Sequence, residues 1–176
     1  MKFESHIEQE IQKKLFRYWD SKKTGSELPG RSDIHPEEIV RLLPHVGLID
    51  VLSENQFRYR LIGTEMVNLF QKDFTGMNVL DSKKGEYGKA LTSLYADAAE
   101  YGSAVYSRSL FLLREDISID VSRLVLPLSS DKKTVDMLLF STIPLWEKSL
   151  TKRIIPIFEH ATRFEETYRV IETLSE

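Results

Sequence analysis

The sequence predicts an α+β domain on a five-stranded antiparallel sheet, with inserted helices and amphipathic N- and C-terminal helices. Three observations carry that reading. Strand-like and helix-like patterns come in blocks rather than in strict alternation, which argues against a parallel βαβ sheet. Two strand patterns precede a helical block and three follow it. Both ends of the chain carry apolar residues at helical spacing.

From about Phe3 to Lys22, apolar residues recur at Phe3, Ile7, Ile11, Leu15 and Trp19, a stripe widened by Phe16 and Tyr18. Such a stripe marks one apolar helix face. It must be buried on the body of the domain or on a second copy of the chain. In the second case Ile7, Ile11, Leu15 and Trp19 form a homodimer interface. Thr24 to Pro36 is rich in Gly, Pro, Ser and Asp and reads as a connector. It opens a short helix, with Pro36 at a first helical position and Glu37 and Glu38 at the positive end of the dipole. Ile39, Leu42 and Leu43 form its apolar face, and Pro44 ends it.

Val46 to Leu52 is a strand and Ser53 to Gln56 a turn. Phe57, Tyr59 and Leu61 then alternate with Arg58, Arg60 and Ile62, so the pair forms a hairpin. After Gly63, a short helix spans Thr64 to Phe70, and the loop Phe74 to Asp81 places Gly76 at positive φ. A longer helix, Glu86 to Tyr101, aligns Tyr87, Leu91, Leu94, Ala98 and Tyr101, with Gly102 as its stop. Strands follow at Ala104–Leu113, Ile119–Leu128 and Val135–Leu145, the last two joined by a turn at Ser129–Lys133. The final strand is apolar in both parities, Met137 to Phe140, as in a strand covered on both faces. The N-terminal helix is the cover for one of them. From about Pro156, residues Ile157, Ala161, Phe164, Tyr168 and Ile171 step by 4, 3, 4 and 3, which predicts a helix. The chain thus divides into an N-terminal helix and connector (1–35), a central domain (36–147) and a C-terminal helix (148–176).

Composition bounds the function. Lys and Arg number 24 against 27 Asp and Glu, a net charge of −3 with no basic cluster, so nothing favours nucleic acid. There is no cysteine, which excludes disulfides, thiolate metal sites, cysteine nucleophiles and cofactors held through sulfur. The start, MKFESHIEQE, has no apolar h-region, and no apolar run approaches the roughly 18 residues of a membrane span. The expectation is a cytoplasmic protein.

The stretch from Arg17 to about Pro144 resembles a bacterial family of short, mostly stand-alone PAS-like proteins. The match rests on Tyr18-Trp19, RSDIHPEEI (31–39), LLPH (42–45), FRYRLIGTEMVNLF (57–70), DFTGMNVLD (73–81) and RLVLPL (123–128). The chain departs from the pattern at Gln71, where the resemblance leads one to expect glycine. The resemblance implies a sensory module that dimerises through flanking helices and binds a small molecule or a signalling partner. The sequence itself shows no nucleotide loop, nucleophile elbow or metalloprotease helix, so no catalytic residue is expected. In that family of folds, flavin photoreceptors form an adduct with a cysteine, which this chain lacks. Haem-binding members commonly use a histidine on the long helix, and Glu86–Tyr101 has none. No cofactor is therefore expected.

Read from the residues, Tyr59, Met66, Phe70, Leu94, Tyr95, Tyr106 and Met137 are candidates to line a cavity between helices and sheet, with Arg108 as a charged anchor. The same aromatics serve equally as core packing, which leaves a ligand-free dimeric scaffold as the alternative. Arg31, Ser32 and Asp33 form either a ligand anchor or a local cap in which Arg31 pairs with a carboxylate. His6, His35, His45 and His160 show no metal-ligand spacing. A small cone-shaped α+β enzyme is a third reading, which needs an Asp–His or Tyr–Asp pair deep in a pocket, such as a buried carboxyl beside Tyr59 or Tyr106; Asp116, Asp120 and Asp136 suggest none.

Overall fold

The computed structural model describes residues 3–25, 27–70, 72–82, 85–114, 117–145 and 163–172, with side chains at all of these except 111–119 and 163–168. A 3₁₀ turn at Phe3–His6 leads into helix α1, Glu10–Ser21. Strands β1 (Gly47–Ser53) and β2 (Gln56–Ile62) form the predicted hairpin, with Asn55 at its tip at φ 61°. Asparagine tolerates that left-handed conformation. Helices α2 (Thr64–Phe70), α3 (Val79–Ser82) and α4 (Gly85–Tyr101) follow. Then come β3 (Val105–Arg114), β4 (Ile117–Leu128), β5 (Met137–Pro144) and β6 (Arg163–Ile171). Gly76 adopts the positive φ expected of it, and Gly102, the expected stop of α4, also has positive φ.

All strands join one antiparallel sheet in the order β2-β1-β5-β4-β3-β6. The sixth strand corrects the sequence reading. Residues 163–171 form no helix but pair with β3, from Val105↔Ile171 to Leu112↔Arg163. The cause is local and tertiary at once. Thr167, Tyr168, Val170 and Ile171 are strand-favouring types, and β3 offers a row of backbone groups that need partners. Ile157 and Ala161, the start of the predicted helical stripe, lie outside the described residues. A second correction concerns 36–45, which forms 3₁₀ turns at Pro36–Glu38 and Leu43–His45 instead of one α-helix. Pro44 sits inside the second turn rather than ending a helix.

The sheet divides the core in two. On one face α1 and the 31–45 segment pack Ile7, Leu15, Trp19, Ile34 and Ile39 against Leu124, Leu126 and Leu139. On the other, α2–α4 pack Met66, Leu91, Leu94 and Tyr95 against Ile49, Val125, Leu138 and Phe140. Strand β5 alternates between these cores as expected, Met137 and Leu139 on the first and Leu138 and Phe140 on the second.

Candidate functional site

The helix side of the sheet is the natural place for a ligand, and it is filled by the chain's own rings. Tyr59 lies 6.0 Å from Phe74 and 5.9 Å from Phe140; Tyr95 lies 6.2 Å from Phe140 and 5.7 Å from Phe57. Such tilted and edge-on contacts are favourable geometries for aromatic pairs. Phe140 takes further room from its neighbour across the strands: a Cβ on Gly47 would stand 2.3 Å from its ring. Burial, and then the nearby Tyr87, push the Tyr59 phenol above its ordinary range; burial, and then Tyr59, do the same to Tyr95. Both are neutral phenols at any physiological pH.

The same face holds a residue absent from the candidate list. Arg123 of β4 is buried, donates to Ser109 Oγ at 3.0 Å and to Tyr87 Oη at 3.2 Å, and lies 5.3 Å from the Tyr87 ring centre. The sequence holds a signal for it. A charged residue in the apolar run RLVLPL faces Ser107 across the strands, and Ser109 beside it; both are small enough to leave room for a guanidinium.

Of the eight candidate lining residues, Tyr59, Met66, Leu94 and Tyr95 are buried in this core and Phe70 packs against it. The other three are elsewhere. Tyr106 and Met137 belong to the α1 side, and Arg108 pairs there with Asp120 and, at 2.7 Å, with Glu8. Strand parity is the reason. Val105 points toward the helices, so Tyr106 and Arg108 point away.

The α1 face also corrects the interface assignment. Ile7, Leu15 and Trp19 are at most 1% exposed and Ile11 packs beside them, all against the chain's own sheet. Under this cover lie polar anchors. The Gln12 amide donates to the carbonyls of Ser122 (3.4 Å) and Ser141 (3.2 Å) and accepts from Ser122 Oγ at 3.0 Å. Trp19 Nε1 donates to the Pro127 carbonyl at 2.8 Å. Gln12 is a polar residue inside an apolar stripe, the one mark by which the sequence could have disclosed it.

At the outer end of this face, the 31–45 segment and β2 border an apolar groove of about 440 Å³. Ile34, Ile39 and Val40 line one wall and Leu61 the other, with Leu48 and Leu139 beneath. Gly63 meets the 3₁₀ turn so closely that a Cβ there would stand 2.4 Å from the Pro44 carbonyl oxygen. Arg31 also lines this groove. The expected local cap is present, since Asp33 accepts from the Gly30 N–H at 2.8 Å. Arg31, however, donates to the Ile34 carbonyl at 2.8 Å, and among the described residues no carboxylate lies within ion-pair distance of it.

No acid–base pair is assembled among the described residues. Asp50, the buried carboxylate, is held by Arg58 and Arg60, and Asp120 is held by Arg108. No group of three or more His, Asp or Glu converges there as a metal site would require, and no described helix is long and apolar enough to cross a membrane.

A single antiparallel sheet in the order 2-1-5-4-3, with a helical block between its second and third strands, defines a PAS-type module. A PAS domain family profile matches residues 7–141, and the chain belongs to that family. The match begins within the N-terminal segment, which packs into the same core as the sheet. The chain is also similar to the Rhodobacter sphaeroides LOV protein (13% identity, 78% of this chain, 70% of that one, TM-score 0.47). It is similar to a variant of the LOV protein RsLOV (16% identity, 62% of this chain, TM-score 0.46), of which it spans 64%. An RNA-binding Light-Oxygen-Voltage receptor matches at 14% identity over 69% of this chain and 35% of that one, TM-score 0.45. No curated protein matches the chain.

Proposed function

We propose that this chain is a regulatory PAS module that keeps no chromophore on its helix side and passes its state to another protein through the α1 segment. The observation that carries the reading is the contrast in cover. Tyr59, Phe74, Tyr95 and Phe140 seal one face with packed rings. On the other, α1 and the 31–45 segment close the face, and α1 is fixed by its apolar stripe and by the buried hydrogen bonds of Gln12 and Trp19. An element that docks on a sheet as one unit has two defined positions, docked and released, which is what a switch requires. The recipient is a second copy of the chain or a separate signalling protein.

Native mass spectrometry of the full chain as purified from cells, followed by hydrogen exchange, tests this. The bare polypeptide mass is expected, with α1 amides exchanging before those of β4 and β5. A retained flavin, haem or other constant extra mass overturns the chromophore-free reading. Exchange of α1 in step with the central strands overturns its role as the released element.

A further inference from the structure

The groove between the 31–45 segment and β2 is a second place to look for a ligand, on the face opposite the sealed core. Its volume, about 440 Å³, falls in the range of small-molecule pockets, roughly 300–1,000 Å³. Its lining is apolar, and Val40 and Leu61 at its rim are 61% and 48% exposed. Apolar surface of this kind gains free energy when a nonpolar group covers it.

The occupant is set by charge and size. Arg31 is the cation in the lining, and only its Nη1 has an assigned bond, to a backbone carbonyl. Of the basic groups on neighbouring elements, Arg58 and Arg60 share the Asp50 carboxylate and Lys132 pairs with Asp33, and none of the three lines the groove. A guanidinium with free donors at the edge of an apolar groove matches a carboxylate at the end of a nonpolar chain. A protein partner of stable affinity would cover about 800 Å². A groove of about 440 Å³ suits something smaller.

We infer that this groove binds a small apolar carboxylate, with its chain against Leu48, Leu61 and Leu139 and its carboxylate on Arg31. The site rests on this geometry alone. A chromophore found on the helix side would overturn the function proposed above and leave the groove untouched.

Calorimetric titration of the full chain with sodium decanoate, and separately with 1-decanol, tests the inference. Decanoate is expected to bind at one saturable site. Arg31→Gln should weaken decanoate roughly tenfold or more, the weight of a charge-assisted hydrogen bond, and leave decanol nearly unchanged. Arg31→Lys should restore much of the loss. Leu61→Asp, at an exposed strand position, should abolish binding of both while circular dichroism and the unfolding midpoint report an intact fold. Absence of saturable decanoate binding, or equal affinity in the parent chain and Arg31→Gln, overturns the site.

Discussion

The two faces of this sheet are covered by different means. Helices α2–α4 lie between β2 and β3 in sequence, so their rings meet the sheet at shorter sequence separations, in a mainly apolar core around one buried arginine, Arg123. The α1 face is closed from far away: Gln12 reaches Ser122 and Ser141 across 110 and 129 residues, and Trp19 reaches Pro127 across 108. Contacts of such long sequence separation form only after the intervening chain is ordered. Both faces are packed, but one is closed by a block inserted between strands and the other by an N-terminal cover with buried polar anchors, and each should respond to its own kind of perturbation.

The largest expected effect is on the helix side. Phe140→Ala should lose about 3–5 kcal/mol in urea unfolding, since it empties the centre of the ring cluster. A loss under about 1 kcal/mol would mean that this core is not tightly packed. Next in size is Gln12→Leu on the α1 side, which leaves two buried carbonyls without their donor and should cost about 1–3 kcal/mol. It should also speed exchange of the α1 amides more than those of α4; equal acceleration in both would dissolve the distinction between cover and core.

Alkaline titration sharpens the same contrast. Tyr59 and Tyr95 have folded-state pKa values raised above the ordinary value of 10.0 by burial. Above that pH the unfolded chain ionises while the folded chain stays protonated, so the unfolded state binds fewer protons and stability falls as pH rises. Tyr59→Phe should flatten that decline, seen as a shallower slope of unfolding free energy against pH. An unchanged slope would place the titration elsewhere, with Tyr106 on the α1 face the next group to replace.

The smallest effect belongs to the β4–β5 turn. The Asp131 carboxylate accepts from the Lys133 and Thr134 N–H groups, both at 2.8 Å, and from Thr134 Oγ1, which holds its pKa well below the usual range. Its contribution is present above the unfolded carboxylate pKa and is lost as pH falls through the lowered folded value. Asp131→Asn should shift the urea midpoint only slightly at neutral pH and remove part of the acid dependence. A shift as large as that of Gln12→Leu would make the turn a structural anchor of the sheet.

Much of this architecture was legible in residue patterns. An apolar run located β1 and alternation located β2, the doubly apolar run 137–140 announced a strand covered on both faces, and Gly76 and Gly102 marked their turns. The 163–171 segment misled because Phe164, Tyr168 and Ile171 continue the helical 4-3-4-3 rhythm that starts at Ile157, while its composition also favours a strand. Only the open edge of β3 decides between them, and a sequence does not display edges. The site was harder. Placing Tyr106 and Arg108 on the helix side requires knowing the parity of β3, and one residue of shift exchanges the two faces. The stripe Ile7, Ile11, Leu15 and Trp19 was visible as a stripe, but what it covers depends on where α1 lands. Arg31 lay in a recognised motif, yet its lack of an acidic partner among the described residues is a property of three-dimensional neighbours.

The closeness of Gly47 and Phe140 has a bearing on how this core can change over generations. A side chain at 47 collides with the ring at 140, and shrinking the ring first leaves a void. Each single replacement is thus worse than the pair together, a coupling expected between touching residues. A lineage that opens a chamber on the helix side must cross that dip in fitness, or lose the ring first and tolerate the void before the glycine is replaced.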